Sequence, residues 1–277
     1  LLRVTYPPLD PAQPSDGKTL PDRIVEYFIA RIFTGELPPG ERLPADRELS
    51  VLLGVDRTSL RMATQQLARL GLVKVVHGSG VRVLDFRQHA GLDFLSAVFA
   101  LPKLSIGGSY VLEALDDWID LAPVLVGRAL ARVTHETRRE LDAILADQLS
   151  VLETGGERAQ VLDLEIALQD QILRIVGNTT LVLLGNSSRP LRRTLVGLFF
   201  ETTDVREHVT AQRAMFRAAA RRERLSAEQI AKDYRAYLVL RTQALRERLL
   251  ALPMNPSLVS HEKSARKRPA RARARTA

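Results

Sequence analysis

The chain has 277 residues, 45% of them hydrophobic, with no cysteine and a formal net charge of +8. This length accommodates one small and one medium domain with cores of their own, and the lack of cysteine excludes a disulfide framework, a thiolate nucleophile and a cysteine-held zinc. Lys263, Arg266, Lys267, Arg268, Arg271, Arg273 and Arg275 carry nearly all of the excess, with no acid between 263 and 277, so the rest of the chain is close to neutral.

Residues 1–19 hold Pro7, Pro8, Pro11 and Pro14 and few hydrophobes in register, the pattern of an extended, mobile arm. The start of the chain lacks the basic–apolar–small order of a secretory signal, and no apolar run reaches the roughly 18 residues of a membrane span, so a cytoplasmic protein with no membrane partner is expected. A helix is predicted over 22–34, opened by Pro21 and Asp22, with Ile24, Phe28, Ile29 and Ile32 as its core stripe. Pro38-Pro39-Gly40 then turns the chain.

The stretch LPADRELSVLLGVDRTSLRMATQQLARLGLVKVVHGSGVRV (43–83) organises this part of the chain. Val55 and Asp56 form a turn between two helices, with Asp56 as N-cap and Val55 and Leu60 spaced as a hydrophobic staple. The second helix runs over 57–70, buries Leu60, Ala63, Thr64, Leu67 and Leu70, and ends at Gly71. Two β-branched runs, 72–76 and 81–84, flank His77-Gly78-Ser79-Gly80, which is hairpin chemistry. Residues 20–84 therefore make a winged helix-turn-helix. In that motif the first turn of the second helix meets base edges and phosphates. Arg57, Thr58, Ser59 and Arg61 occupy this turn; arginine grips guanine O6 and N7, and hydroxyls and backbone amides suit phosphate. The alternative for the same residues is an amphipathic surface helix with solvated arginines.

The pieces PPGERLP, ADRELS, GVDRTSLR, LARLGL and HGSG follow one another in the order found in the DNA-binding domain of the GntR family of bacterial repressors, which residues 20–84 resemble. The resemblance implies DNA contacts by Arg47, Arg57, Thr58, Ser59 and Arg61, with His77 and Gly78 of the wing reaching the minor groove. Asp56 stands where the family has Ser or Thr, and Ala45 where it has a capping Ser. A carboxylate near phosphate is repulsive, so Asp56 is a cap rather than a contact.

Residues 85–104 form a hinge leading into a first bundle helix, and 105–252 a helical effector-binding and dimerisation domain. Seven helical segments are predicted, over 91–101, 109–133, 135–153, 158–176, 180–201, 204–222 and 226–252, each with apolar residues at i, i+3, i+4. The fold class is mainly α: a winged helix-turn-helix followed by an antiparallel all-α bundle of about seven helices. That order resembles the FadR branch of the GntR family, as do Phe86, Gly91-Leu92, Phe94-Leu95 and Leu101 in the hinge and Val176-Gly177-Asn178 after a helix.

Many members of the branch hold a metal through one Asp and three His. Counted from Gly177-Asn178, the resemblance puts Glu165, Gln169, Gln212 and Tyr237 at those positions. This donor set, with only His208 of the five histidines nearby, leads us to expect no metal and no other cofactor. A metal-free aliphatic bundle suits a fatty acid or acyl-CoA. Leu181, Leu184, Leu191, Leu195, Leu198, Phe199 and Phe200 are candidate walls, and Asn186, Arg189, Arg192 and Arg193 candidate anchors for a carboxylate or CoA phosphates. Plain core and a solvated arginine face are the alternatives.

The expected function is a homodimeric regulator, a repressor, that binds a palindromic operator in double-stranded DNA and is released by a small-molecule effector. A metal-dependent sensor of small organic acids and a nonspecific DNA-binding architectural protein are the alternatives. The tail 253–277 is low-complexity and basic, and suits either a disordered solubilising end or nonspecific attraction to DNA. No HExxH, P-loop, GxSxG or cysteine is present, so no enzymatic role is expected.

Overall fold

The computed structural model describes residues 5–9, 17–76, 78, 80–101, 108–221 and 226–252. His77, Ser79 and the tail 253–277 lie outside the described residues. The chain divides into two compact units, one reaching to Gly91 and the other built from Leu92–Ala100 and Val111–Ala251. The division falls within the stretch 85–104 that the sequence marks as a hinge.

The first unit starts with α1 (Leu20–Phe33), closed at its N-terminus by a reciprocal Thr19–Asp22 capping box. Ile24, Phe28, Ile29 and Ile32 are buried as their spacing predicts, joined by Phe33 and Leu37. α2 (Asp46–Leu53) has no side-chain cap, because Ala45 stands at the cap position. α3 (Arg57–Arg69) is capped by Asp56 and buries Leu60, Ala63 and Leu67 against α1, while Thr64 and Leu70 are only half-buried. β1 (Val73–Val76) and β2 (Gly80–Val83) pair antiparallel with Val73 opposite Val83. Gly71 is required between α3 and β1: its φ is +74°, and a Cβ there would collide with the His89 carbonyl. That carbonyl belongs to α4 (Phe86–His89), a short helix inside the stretch expected to be hinge.

Within the arm, residues 5–9 lie against this unit. Leu9 N–H donates to the Leu53 carbonyl at 3.0 Å, and Arg31 Nη2 reaches the Thr5 carbonyl at 2.5 Å. The Arg31 guanidinium lies over the rings of Tyr6 and Tyr27, which offsets the entropy of ordering a proline-rich segment.

The second unit is all-helical: α5 (Leu92–Phe99), α6 (Gly108–Leu130), α7 (His135–Glu153), α8 (Arg158–Val176), α9 (Thr179–Ser187), α10 (Arg189–Thr202), α11 (Val205–Arg221), α12 (Ala227–Arg241) and α13 (Gln243–Leu250). Two of the seven expected segments are therefore split. The helix over 180–201 breaks at Ser188 because Pro190, at the start of α10, has no N–H to continue the hydrogen-bond ladder. The helix over 226–252 is interrupted at Thr242, whose side chain bonds back to the Leu238 carbonyl at 2.8 Å beside its own N–H at 2.9 Å, a contact that bends helices. Periodicity cannot register either break, since apolar spacing continues across both. α7 packs on α8 and α11, and α10 on α8 and α5. No helix among the described residues is long and apolar enough to cross a membrane.

Candidate functional site

The turn between α2 and α3 is held by backbone and cap. Gly54 ends α2 at φ +67°, and Val55 N–H donates to the Ser50 carbonyl at 2.9 Å. The Asp56 carboxylate accepts the Ser59 N–H at 2.8 Å, and its hydrogen bonds to Ser59 hold it below the usual carboxylate range. Beyond the cap, Arg57 and Thr58 are exposed and Ser59 is half-buried. Arg61 is exposed and pairs with Asp46 at 3.2 Å, a surface ion pair of little energetic weight. Arg47 is exposed on α2, and Gly78 is exposed at the wing tip.

The wing carries three further cations that pattern reading misses. Lys74 stands opposite Arg82 in the β1–β2 register, and Arg42 bridges to Arg82 from the other side. All three are exposed, and among the described residues none has a carboxylate partner; Arg82 only donates to the Gly40 carbonyl. Like charges directly opposite on a sheet repel, and an anion laid across them relieves that repulsion. Lys74 and Arg82 flank the wing in the sequence, but Arg42 joins them only through the non-local pairing of 40–43 with 81–83.

In the helical unit a cage of polar side chains is buried in the core. Glu165 on α8 is 3% exposed. Gln148 Nε2 from α7 donates to its Oε2 at 3.1 Å, and Gln169 Nε2 to its Oε1 at 3.3 Å. Gln212 from α11 donates to the Tyr234 hydroxyl on α12 at 3.2 Å. His208 stands edge-on to Phe199 and shares a 2.6 Å hydrogen bond between Nδ1 and the Tyr237 hydroxyl. Burial raises Glu165 above the usual carboxylate range, lowers His208 to about 4, and raises both tyrosines. The Oε1 atoms of Gln148 and Gln212 are buried without a partner among the described residues, which leaves two unpaired acceptors in the cage.

Residues 20–83 match the family model described as bacterial regulatory proteins, gntR family, and residues 119–236 match the FCD domain. A fatty acid metabolism regulator protein of Shewanella oneidensis is 30% identical over 183 residues, covering 66% of this chain and 72% of that protein. The chain belongs to the GntR family. Another relative, the HTH-type transcriptional regulator Mce2R of Mycobacterium tuberculosis, is 38% identical over 51% of this chain and 57% of its own length. A fatty acid metabolism regulator protein of Vibrio vulnificus is 45% identical over 47% of each chain. The chain thus spans little more than half the length of the first curated relatives it matches.

Within the GntR family the metal positions implied by resemblance are Glu165, Gln169, Gln212 and Tyr237, and all four line or border the cage. Their chemistry does not fit a transition metal. Both Glu165 oxygens already accept amide N–H groups, His208 Nδ1 is engaged by Tyr237, and amide oxygens are weak ligands for zinc-like ions. Among the described residues no three His, Cys, Asp or Glu stand together.

Of the anchors taken from the sequence, only Arg192 touches the cage, through Gln169. Arg192 is largely buried and donates to Asp170 at 2.7 Å, to Gln169 Oε1 at 3.2 Å and to the Gly185 carbonyl at 2.9 Å. Arg189 also pairs with Asp170 at 2.6 Å, Arg193 pairs with Asp163, and Asn186 is exposed. Of the aliphatic wall, Leu195, Phe199 and Phe200 are packed in the core, and Leu184 is exposed. Gln148 was not visible as a cage residue from the sequence; its only signal is a polar residue on the buried stripe of α7 with Leu141 and Leu145.

Proposed function

We propose that the chain is a transcriptional repressor that binds a palindromic operator as a homodimer and is released by a fatty acid or acyl-CoA bound in its helical unit. The observation that carries the DNA half is the capped first turn of α3, which holds Arg57, Thr58 and Arg61 in solvent, in the same unit as the exposed cations of the wing. Arg57 and Arg61 read base edges. Ser59 and Thr58 hold phosphate, Arg47 joins them from α2, His77 and Gly78 enter the minor groove, and Arg42, Lys74 and Arg82 neutralise backbone charge.

The effector half is supported by relatives named fatty acid metabolism regulator proteins and by core residues at the implied metal positions whose amides and already bonded carboxylate do not suit a metal. Asn186, Arg189 and Arg193 are the accessible candidates for carboxylate or CoA phosphates; Arg192 is committed to Asp170. An effector lowers operator affinity only by binding the weak-binding state better. As a regulator of chromosomal DNA, the protein works in the cytoplasm.

The test is a fluorescence-anisotropy titration of a genomic operator fragment with long-chain acyl-CoA, free fatty acid and small dicarboxylates, each with and without chelator. Release by the acyl ligand alone supports the proposal. Release by a dicarboxylate that a chelator abolishes overturns the effector class and restores the metal-dependent alternative.

A further inference from the structure

We propose that the outward face of α6 is the surface through which two copies of this chain pair, antiparallel, about a two-fold axis. This inference rests on the homodimer of the preceding section and assigns it a surface. Asp117, Leu121, Val124 and Arg128 follow one another at intervals of four, three and four residues, which places them on one narrow stripe of a helix. The opposite side of α6 carries the buried Val111, Leu115, Ile119, Val126 and Ala129. On one flank α12 approaches closely: Gly127 has no room for a Cβ beside Ala227, and Asp120 pairs with Arg235 at 2.7 Å. On the other flank Trp118 meets Phe199. The stripe between the flanks stays open, with Leu121 63% and Val124 41% exposed.

Its two charges stand apart from their neighbours. Asp116 and Asp120 are both paired to arginines within the unit, whereas Asp117 and Arg128 are exposed and, among the described residues, have no side-chain partner. The order along the stripe is acid, apolar, apolar, base. Laid against a reversed copy of itself, this order sets Asp117 opposite Arg128 and Leu121 opposite Val124, and symmetry makes each contact twice. The sequence positions agree, since both pairs are centred on the same point between residues 122 and 123. A partner of different sequence would have to reproduce this order in reverse; a second copy supplies it without further requirement. The stripe spans about 16 Å at about 1.5 Å per residue, the length of an interface centre rather than of a whole interface.

The experiment is sedimentation velocity on the full chain over a wide concentration range, for wild type, Asp117→Arg, Arg128→Asp and the double variant. Each single variant sets like charges opposite each other twice and is expected to raise the dimer dissociation constant at least about tenfold. The double variant restores opposite charges in both contacts and is expected to return it close to wild type. All substituted side chains are exposed, and unchanged thermal unfolding verifies that the fold is intact. A dimer indifferent to the single variants, or singles that weaken it without rescue by the double, overturns the assignment of this surface and leaves the homodimer standing. A wild-type chain that stays monomeric at every concentration overturns both.

Discussion

Gln148 and Glu165 meet at 3.1 Å in the middle of the helical unit, amide nitrogen to carboxylate oxygen, with almost no solvent on either. A carboxyl buried so deeply is destabilised in its charged form unless donors surround it, and here the donors are neutral amides from two helices. Replacing Glu165 by Gln keeps shape and hydrogen bonding while removing the ionisable group. The expected outcome is equal or greater stability at pH 8 in urea unfolding. Glu165→Ala leaves the amides of Gln148 and Gln169 unpaired and is expected to lose about 1–3 kcal/mol.

The pH profile follows from the same cage. His208 has its pKa lowered to about 4 by burial, below the 6.5 of an exposed imidazole. The unfolded chain therefore takes up the proton first, so the stabilisation is complete above about pH 6.5 and is lost as pH falls toward 4. Glu165, shifted upward, acts in the opposite sense: its contribution is full at acid pH and is lost as pH rises through its folded value. Urea midpoints between pH 4 and 8 should show an acid limb of up to about 3 kcal/mol from His208, and His208→Gln should flatten it. An unchanged acid limb in that variant would place the titrating group elsewhere.

Arg192 and Arg193 lie side by side on α10 and should behave differently. Arg192 bridges Asp170, Gln169 and the Gly185 carbonyl in a largely buried site; Asp170 keeps Arg189 in Arg192→Ala, but the Gln169 and Gly185 oxygens lose their donor, and the variant is expected to cost about 1–3 kcal/mol. Arg193 pairs with Asp163 in solvent, and Arg193→Ala should stay within about 1 kcal/mol. Chemical denaturation of both variants measures the contrast. If Arg193 meets the effector, its variant loses ligand response with little loss of stability.

On DNA, Arg57→Ala should cost about 1–3 kcal/mol and relax preference at one operator position. Lys74→Ala and Arg82→Ala should weaken all sequences alike and reduce the salt slope by about one each. Anisotropy titrations against operator and scrambled duplexes, repeated across salt concentrations, separate the two classes.

Gly71→Ala should destabilise the first unit by more than the roughly 1 kcal/mol of an ordinary left-handed glycine, because the added methyl meets backbone at His89 rather than a side chain that can move. Thermal unfolding of the full chain reads this as a lowered midpoint for the variant relative to wild type.

The winged helix-turn-helix was legible because its signals are local. The Asp56 cap, the α3 stripe of Leu60, Ala63 and Leu67, and the hairpin around Gly78 each depend on residues within a few positions of one another. The helical bundle was legible in number and order up to its two hidden breaks, at Ser188 before Pro190 and at Thr242, because apolar spacing continues across both. The cage, the three wing cations and the role of Arg192 were decided by tertiary structure. Gln148, Glu165, Gln212 and Tyr234 come from four helices, and Arg42 reaches Arg82 across a turn and two helices of sequence. A sequence states that a polar residue lies on a buried stripe. Only packing decides which other buried group satisfies it, because a buried hydrogen bond needs a partner within about 3 Å whatever its distance along the chain.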